Sequence, residues 1–578
     1  MVCNSRFLIL PEVRVPNLAS HVLGLAISRI GDDWEARYGL RPVLLETFVD
    51  PTRFIGTCYR AANWIKIGKT SGRTYKIGQE GVKKDILIYP LCENWQEILC
   101  KEPQVCSASK RRPACFDDWA EEEFWAADLD DTRLKKRLYT MARDFFSQPG
   151  SLVPQACEGS IAKTTGAYRF FDNKQVNMKK LLDGHTESTV ERIKSHDVVL
   201  AVQDSTTLNY TAHPSTKGLG PIGTKAQRGK GMIVHDTMAF TVHGTPLGLV
   251  DVQCWARDPK EAGKKHRRKQ LPIEEKESMK WLTSYRSVAR IDKLCPQTKL
   301  VSVGDRESDI YELFDEARKT PDGPDLLIRA ERSRSRKVED QYLWDSISHE
   351  DVAGYREIRV PARPKKKQPA RDAKLEIRFA KVELKPPRSS KLPPLSLWAV
   401  HALEIEYAAN VKSPLDWMIL TTIAVTNFED ACERLDWYTQ RWNIEIYHKI
   451  LKSGCRIEDR WLDSAKKLEA SLAVDMVVGW RVHWLTKAAR ETPDGPCDIF
   501  FDENEWRCLT AHSTKKIPSE PPSLKTAVRA VAKLGGFLGR KGDGDPGVTT
   551  VWRGVIKLEA MTIGFTAALA YYRQRDGP

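Results

Sequence analysis

An α/β core with a β-rich insertion, flanked by helical domains and preceded by a small α+β segment, is the fold predicted by this 578-residue sequence. Three observations predict it. DVVLAVQDSTTLNY is an apolar run of strand length that ends on Asp204, and LVSVGD is a second that ends on Asp305. Apolar residues recur at helical intervals on either side of this pair of runs. From Asp325 to about Leu415 the pattern changes to alternation on a basic background, in YREIRVPAR and LEIRFAKVEL.

The length suggests about three or four domains. With 91 Lys+Arg against 77 Asp+Glu the net charge is +14, and the pI is about 9.0, which favours a polyanionic partner. The 13 cysteines are scattered without a Cys-x-x-Cys pair, so neither a disulfide framework nor a zinc module is indicated and a reducing cytosol fits. No apolar run is expected to reach the ~18 residues of a membrane span, and the N-terminus lacks a leader pattern. No membrane partner is expected.

In chain order, residues 1–115 mix short strands (Phe7 to Leu10, Val43 to Phe48, Asp85 to Tyr89) with turn residues and form a separate α+β segment. From Asp117 the pattern is helical, and GSIAKTTGAYRFFDN gathers Lys163, Thr164, Thr165 and Arg169 in a way that suits either a phosphate backbone or a solvated helix end. After the strand ending on Asp204, Met232 to Phe240 and Leu247 to Trp255 make an antiparallel pair joined through His243-Gly244. EKESMKWLTSYRSVARI is a helix with Met279, Leu282, Tyr285 and Ala289 on one face, and it leads to the strand ending on Asp305. The insertion at about 325–415 follows, and then the strand DWMILTTIAV feeds a helix. Beyond Asp459 the chain is mostly helical, with a C-terminal helical domain from about residue 485.

That fed helix, WYTQRWNIEIYHKILKSGCRIEDR, carries Tyr438, Arg441, Glu445 and Lys452. On an ideal α-helix their offsets place them near roughly 0°, 300°, 340° and 320°, one narrow stripe. A carboxylate in line with an arginine, a lysine and a phenol suits one metal ligand with phosphate grips on both sides, and it also suits a solvated charged face. Asp204 and Asp305 at the ends of adjacent strands, with Glu445 on a helix over the sheet, allow three carboxylates to converge. Carboxylate oxygens suit Mg²⁺, and two such ions about 3.5–4 Å apart serve phosphodiester transfer. Any one of these acids, taken alone, reads equally as a cap or turn residue.

The motifs QDSTTLNY, EKESMKWL, VGDRESDIYE, PLDWMILTT, YTQRWNIEIYHKILKSG and AVAKLGGF resemble, in this order and over about residues 116–578, those of bacterial cut-and-paste DDE transposases of the IS-four family, Tn-five-like members. The resemblance implies a ribonuclease H-like core whose Asp, Asp, Glu triad falls on Asp204, Asp305 and Glu445. It implies two Mg²⁺ ions, with Mn²⁺ able to substitute. It implies phosphate-gripping roles for Tyr438, Arg441 and Lys452, and for Trp417 a stack on a flipped base, where a buried strand aromatic is the alternative.

Further implications are a DNA-end-binding helical domain at 116–195, a catalytic core at 196–484, and C-terminal dimerisation at 485–578. The expected function is excision and integration of an insertion sequence through a hairpin intermediate. The expected partners are double-stranded DNA at transposon terminal repeats, target DNA, and a second copy in a synaptic dimer, in the nucleoid-associated cytoplasm of a bacterium. A transposase-derived DNA-binding regulator without catalysis, or a host nuclease, are the competing classes. RPVLLETFVDPTRFIGTCYRAANWIKIG, in the leading segment, resembles part of an acetyltransferase-like domain of unknown function that is also found fused to transposases.

Overall fold

The computed structural model describes residues 2–575 except 5–6, 8, 10–12, 39–40, 71–81, 101–115, 117, 224–228, 260–270, 361–368, 389, 409–410 and 412. The chain divides into two compact units, Met1–Cys115 and Phe116–Pro578.

In the first unit β1 (Val2–Asn4), α1 (Leu18–Tyr38), β2 (Leu44–Val49), α2 (Thr57–Ala61), β3 (Ile65–Lys69), β4 (Asp85–Pro90) and α3 (Trp95–Cys100) follow one another. The strands form a sheet in the order β1-β2-β4-β3, parallel between β1 and β2 and antiparallel elsewhere. Leu23, Leu45, Val49, Leu87 and the edge-to-face pair Tyr59 and Trp64 make its core. Of the expected Phe7–Leu10 strand, residues 7 and 9 lie outside any strand and residues 8 and 10 fall outside the described ones. The long helix α1 was not expected, because its sequence lacks a clean apolar stripe.

The second unit opens with α4 (Trp119–Phe124), α5 (Thr132–Ser147), α6 (Val153–Ala156), α7 (Ile161–Asp172) and α8 (Met178–Ile193). Asp118, Asp131, Ser160 and Asn177 cap the longer ones by accepting first-turn N–H bonds, which satisfies donors a helix start leaves free.

The sheet comes next. It takes in β5 (Val198–Asn209), β6 (Gly220–Ile222), β7 (Gly229–Thr241), β8 (Pro246–Trp255), β9 (Lys299–Gly304), β10 (Asp325–Arg329), β11 (Lys337–Val338), β12 (Gln341–Tyr342), β13 (Gly354–Val360), β14 (Arg371–Leu384), β15 (Leu395–Ile405) and β16 (Asp416–Thr421). Their order is β12-β11-β14-β15-β16-β10-β9-β5-β7-β6, with β8 on β7 and β13 on β14. Strands β5, β9 and β10 run parallel, while β7 and β8 are antiparallel beside them. Helix α9 (Met279–Asp292) buries Leu282, Tyr285 and Val288, and α10 (Tyr311–Arg318) follows β9.

The basic segment joins the sheet: β14 and β15, with β16 after them, extend it, and α11 (Leu343–Ser348) lies beside them. Its first strand, β10, pairs with β9 and belongs to the core; a short apolar run looks the same in sequence whichever neighbour it joins.

Beyond β16 the expected single helix is three segments: α12 (Phe428–Thr439), α13 (Trp442–Lys449) and a π-helical turn, Ile450–Gly454. Helix α14 (Ala465–Glu491) then runs 27 residues, nearly all of its middle buried, so the expected boundary near 485 falls inside a continuous helix. Finally α15 (Glu503–Thr514), α16 (Leu524–Leu534) and α17 (Val548–Arg575) pack on its end through Trp506, Val528, Val531, Val551 and Val555. Contrary to the expectation that no run is long enough, Val548–Tyr572 is apolar and long enough to cross a membrane, with a mean hydropathy of 1.2. It also holds Arg553, Lys557 and Glu559, and its first half is built into the helical cluster.

Candidate functional site

The register of the central strands assembles the site. Val202 pairs with Val303 at the end of the parallel β5–β9 ladder, and Asp204 and Asp305 each lie two residues further on. Side chains alternate along a strand, so both carboxylates leave the same face from neighbouring strands. Asp204 does not end its strand as expected. β5 continues to Asn209 because its ladder with β7 persists after β9 has turned away into the 3-10 turn Arg306–Ser308. Asp305 caps that turn, its Oδ1 accepting the Glu307 N–H at 2.8 Å.

Helix α13 lies over this face. Arg441 at its start and Glu445 one turn on form an ion pair, and Arg441 Nη1 also approaches Asp204 Oδ2 at 3.7 Å. Three residues further, His448 is buried with its Nε2 2.7 Å from Asp236 Oδ1 and its Nδ1 3.9 Å from Asp204 Oδ2. The π-helical turn brings Lys452 round to donate from Nζ to the Thr207 carbonyl at 2.6 Å. The four residues of the predicted stripe therefore lie on three segments. The turn at Gln440 and the π-helical residues shift the phase that one ideal helix would keep.

Electrostatics separate these groups. Burial raises the Asp204 carboxyl to about 6; His448 and Arg441 offset this only in part, and Asp305 adds to it. Burial also raises Asp305. Lys452 is lowered by burial against the pull of Glu458. Burial opposes charge on His448 too, yet Asp236 and Asp204 hold its imidazole above the usual value.

Tyr438 and Trp417 sit to one side of the acids. Tyr438 is only 5% exposed, its hydroxyl raised by burial and facing Arg441 and Arg329, so the resting structure covers the proposed phosphate grip. Its ring meets that of Trp417 edge-on at 5.8 Å, and the Arg329 guanidinium lies 5.9 Å from the Trp417 ring centre. Trp417 is half-buried on β16.

Asp204 and Asp305 are thus brought together, with Glu445 nearby but engaged by Arg441. Among the described residues no three His, Cys, Asp or Glu side chains are already gathered tightly enough to hold one ion. The donor chemistry fits a divalent cation nonetheless. Two carboxylates raised by burial, Asp204 also by Asp305 and Asp305 also by Glu307, present hard oxygens with unbalanced negative charge, the setting that magnesium or manganese neutralises. Sequence reasoning missed Arg329, His448 and Asp236. A charged residue inside the buried run MIVHDTMAF was the available signal for Asp236.

In the helical region, Lys163 is occupied by Asp144 at 2.9 Å and by Glu158, whereas Thr165 and Arg169, one turn apart, are exposed on α7. The predicted cluster is thereby split between two sides.

Three family models match. Residues 116–176 match the one described as Transposase DNA-binding, and residues 477–574 match Transposase Tn5 dimerisation domain. Residues 1–76, in the leading segment, match the one described as Druantia protein DruA. Among solved structures, the cryo-EM structure of piggyBac transposase synaptic complex with hairpin DNA is 8% identical, with 64% of this chain and 73% of that chain covered and a TM-score of 0.31, too low for the likeness to bear on the fold.

Proposed function

We propose that this chain is a DNA transposase of the Tn5-like, IS-four kind, with a ribonuclease H-like core formed by β5, β7, β8, β9 and β10 and a catalytic triad of Asp204, Asp305 and Glu445. The observation that carries the reading is the equal stepping of Asp204 and Asp305 past one shared register pair, under a helix bearing Glu445. Matches of transposase type on either side of that core support it.

Asp204 and Asp305 would hold two magnesium ions, or manganese in their place, and Glu445 would join them on release from Arg441. When bound, such ions supply an activated water or 3′-hydroxyl and a stabilised leaving oxygen. The chain's own groups do the rest. Arg441 and Lys452, and Tyr438 once uncovered, would grip phosphates, and Trp417 would receive a base turned out as the end closes into a hairpin.

On this reading residues 116–195 bind the transposon's terminal repeats and the C-terminal helices join two copies in a synaptic complex that captures target DNA. The protein would act on the nucleoid, in the bacterial cytoplasm. Incubating the purified chain with matched end DNA and Mg²⁺ tests the reading: nicks, hairpins and joined products are expected. Nicks alone would leave a nuclease, and binding without cleavage a regulator.

A further inference from the structure

We propose that Asp236 and His448 form a buried positioning pair that aims the carboxylate of Asp204, an inference that rests on the metal-binding reading of Asp204 above. Register brings the two acids together. Asp204 lies directly opposite Asp236 in the β5–β7 ladder, so their side chains leave the same face of the sheet. Two carboxylates placed that way repel, and Asp236 has no solvent to relieve it, being 0% exposed.

Helix α13 supplies the relief from above. His448 follows Glu445 by three residues, hence on the same helix face, and a carboxylate can only accept, so the ring donates from Nε2 to Asp236 Oδ1 at 2.7 Å. The second oxygen of Asp236 has no hydrogen-bond partner among the described residues, which leaves His448 as its anchor there.

With Nε2 tied down, the ring has one remaining edge, and that edge faces Asp204. Asp204 Oδ1 accepts the Ser205 N–H at 2.8 Å. Its Oδ2 is approached by His448 Nδ1 at 3.9 Å and Arg441 Nη1 at 3.7 Å, both beyond hydrogen-bond length. One oxygen is therefore tied and the other steered without being consumed, which leaves it open to a ligand. On the opposite face of the same two strands Ser205 Oγ and His235 Nδ1 meet at 2.8 Å, so the register that places Asp204 against Asp236 is pinned from both sides.

The test compares manganese affinity, read as the loss of the free Mn²⁺ electron paramagnetic resonance signal, in the full-length chain and in Asp204→Asn, His448→Ala and His448→Gln variants. Glutamine keeps a donor for Asp236 but has no second nitrogen to turn towards Asp204. Both His448 variants are expected to bind Mn²⁺ about 10- to 100-fold more weakly, with the glutamine variant melting near the parent temperature. A purely structural role predicts the reverse: full affinity once glutamine restores the Asp236 bond, and that result overturns the proposal. If the alanine variant does not fold, the glutamine variant decides. Undiminished affinity in Asp204→Asn would instead remove the metal-binding reading itself, an outcome distinct from failure of the positioning pair alone.

Discussion

Two carboxylates in this protein have opposite fates: Glu123 is sealed, and Asp204 is mostly buried with 18% of its side chain exposed. Glu123, on α4, accepts from Arg192 at 2.8 and 3.2 Å and meets His185 Nδ1 at 2.6 Å, while His185 Nε2 takes the Leu249 N–H. Although burial alone would raise it, Arg192 and His185 hold Glu123 down to about 2. Asp204 has cations near it but none in direct hydrogen-bonding contact, and burial lifts it to about 6. The first is a closed network that joins α4, α8 and β8. The second is an open account of negative charge. Burial by itself therefore says little about role; what decides is whether the surrounding donors consume the oxygens.

The largest effect that would break this comparison concerns the open site. Replacing Asp204, Asp305 or Glu445 by alanine is expected to lower nicking of end DNA by about a thousandfold or more while end binding persists, since positioned ligands of this kind act together. Because Asp204 is an under-compensated charge, Asp204→Asn should melt no lower than the parent, as calorimetry can check.

For the closed site the expectation is inverted. Glu123→Ala leaves Arg192 and His185 without their acid and should cost about 3–5 kcal/mol of stability in denaturant unfolding, with nicking per folded molecule unchanged. A stable Glu123→Ala protein would mean that the network is not what joins these elements.

The same contrast holds between two tryptophans under arginines. Trp480 is sealed beneath Arg192 at 4.4 Å and donates from Nε1 to the Pro246 carbonyl, whereas Trp417 is half-buried beside Arg329. Stacking on a turned-out base is worth about 1–3 kcal/mol, so Trp417→Ala should slow hairpin formation about 5- to 150-fold and leave the first nick near its normal rate. Equal loss of both steps, or unfolding, would make Trp417 a core residue like Trp480.

Titration sharpens the comparison further. Glu123 is depressed from 4.5 to about 2, so its stabilisation is present above about pH 4.5 and lost as the pH falls towards 2. Asp204 is raised from 3.8 to about 6, so the folded state is favoured below about pH 4 and that contribution is lost as the pH rises to about 6. Asp204→Asn should flatten the upper part of the stability profile and Glu123→Gln the lower. Nicking at low Mg²⁺ should fall up to about tenfold per unit below about pH 6, and added Mg²⁺ should move that midpoint downwards.

The smallest effect is at Lys452. Its alanine variant should bind cleaved ends with a salt dependence shallower by about one counterion, and an unchanged slope would leave it as a tie to the Thr207 carbonyl.

Much of this was legible in the sequence, for a definite reason. An acid closing an apolar run is a local signal, and it marked Asp204 and Asp305 on their strands, although β5 runs on to Asn209 through its long-range ladder with β7. The break at Gln440 was hidden because apolar spacing continues through Trp437, Ile444 and Leu451 as if the helix were whole. The Asp236–His448 bond spans 212 residues, and no periodicity reports a meeting of that kind. Nor could the pattern of β10, β14 or β15 say that β10 joins the core while the others widen the same sheet, since a strand pattern does not name its neighbour.

Helix α14 has a mechanical consequence. At about 1.5 Å per residue its 27 residues span roughly 40 Å. Along that length it takes the Tyr447 hydroxyl on the Met476 carbonyl, seats Trp480 against β8, and buries Arg481 among Trp119, Phe146 and Phe500. A beam fixed at so many points admits no hinge near residue 485. On the proposed reading, torque applied to the C-terminal helices by a second copy would pass along α14 to Met476, where Tyr447 of α13 is held.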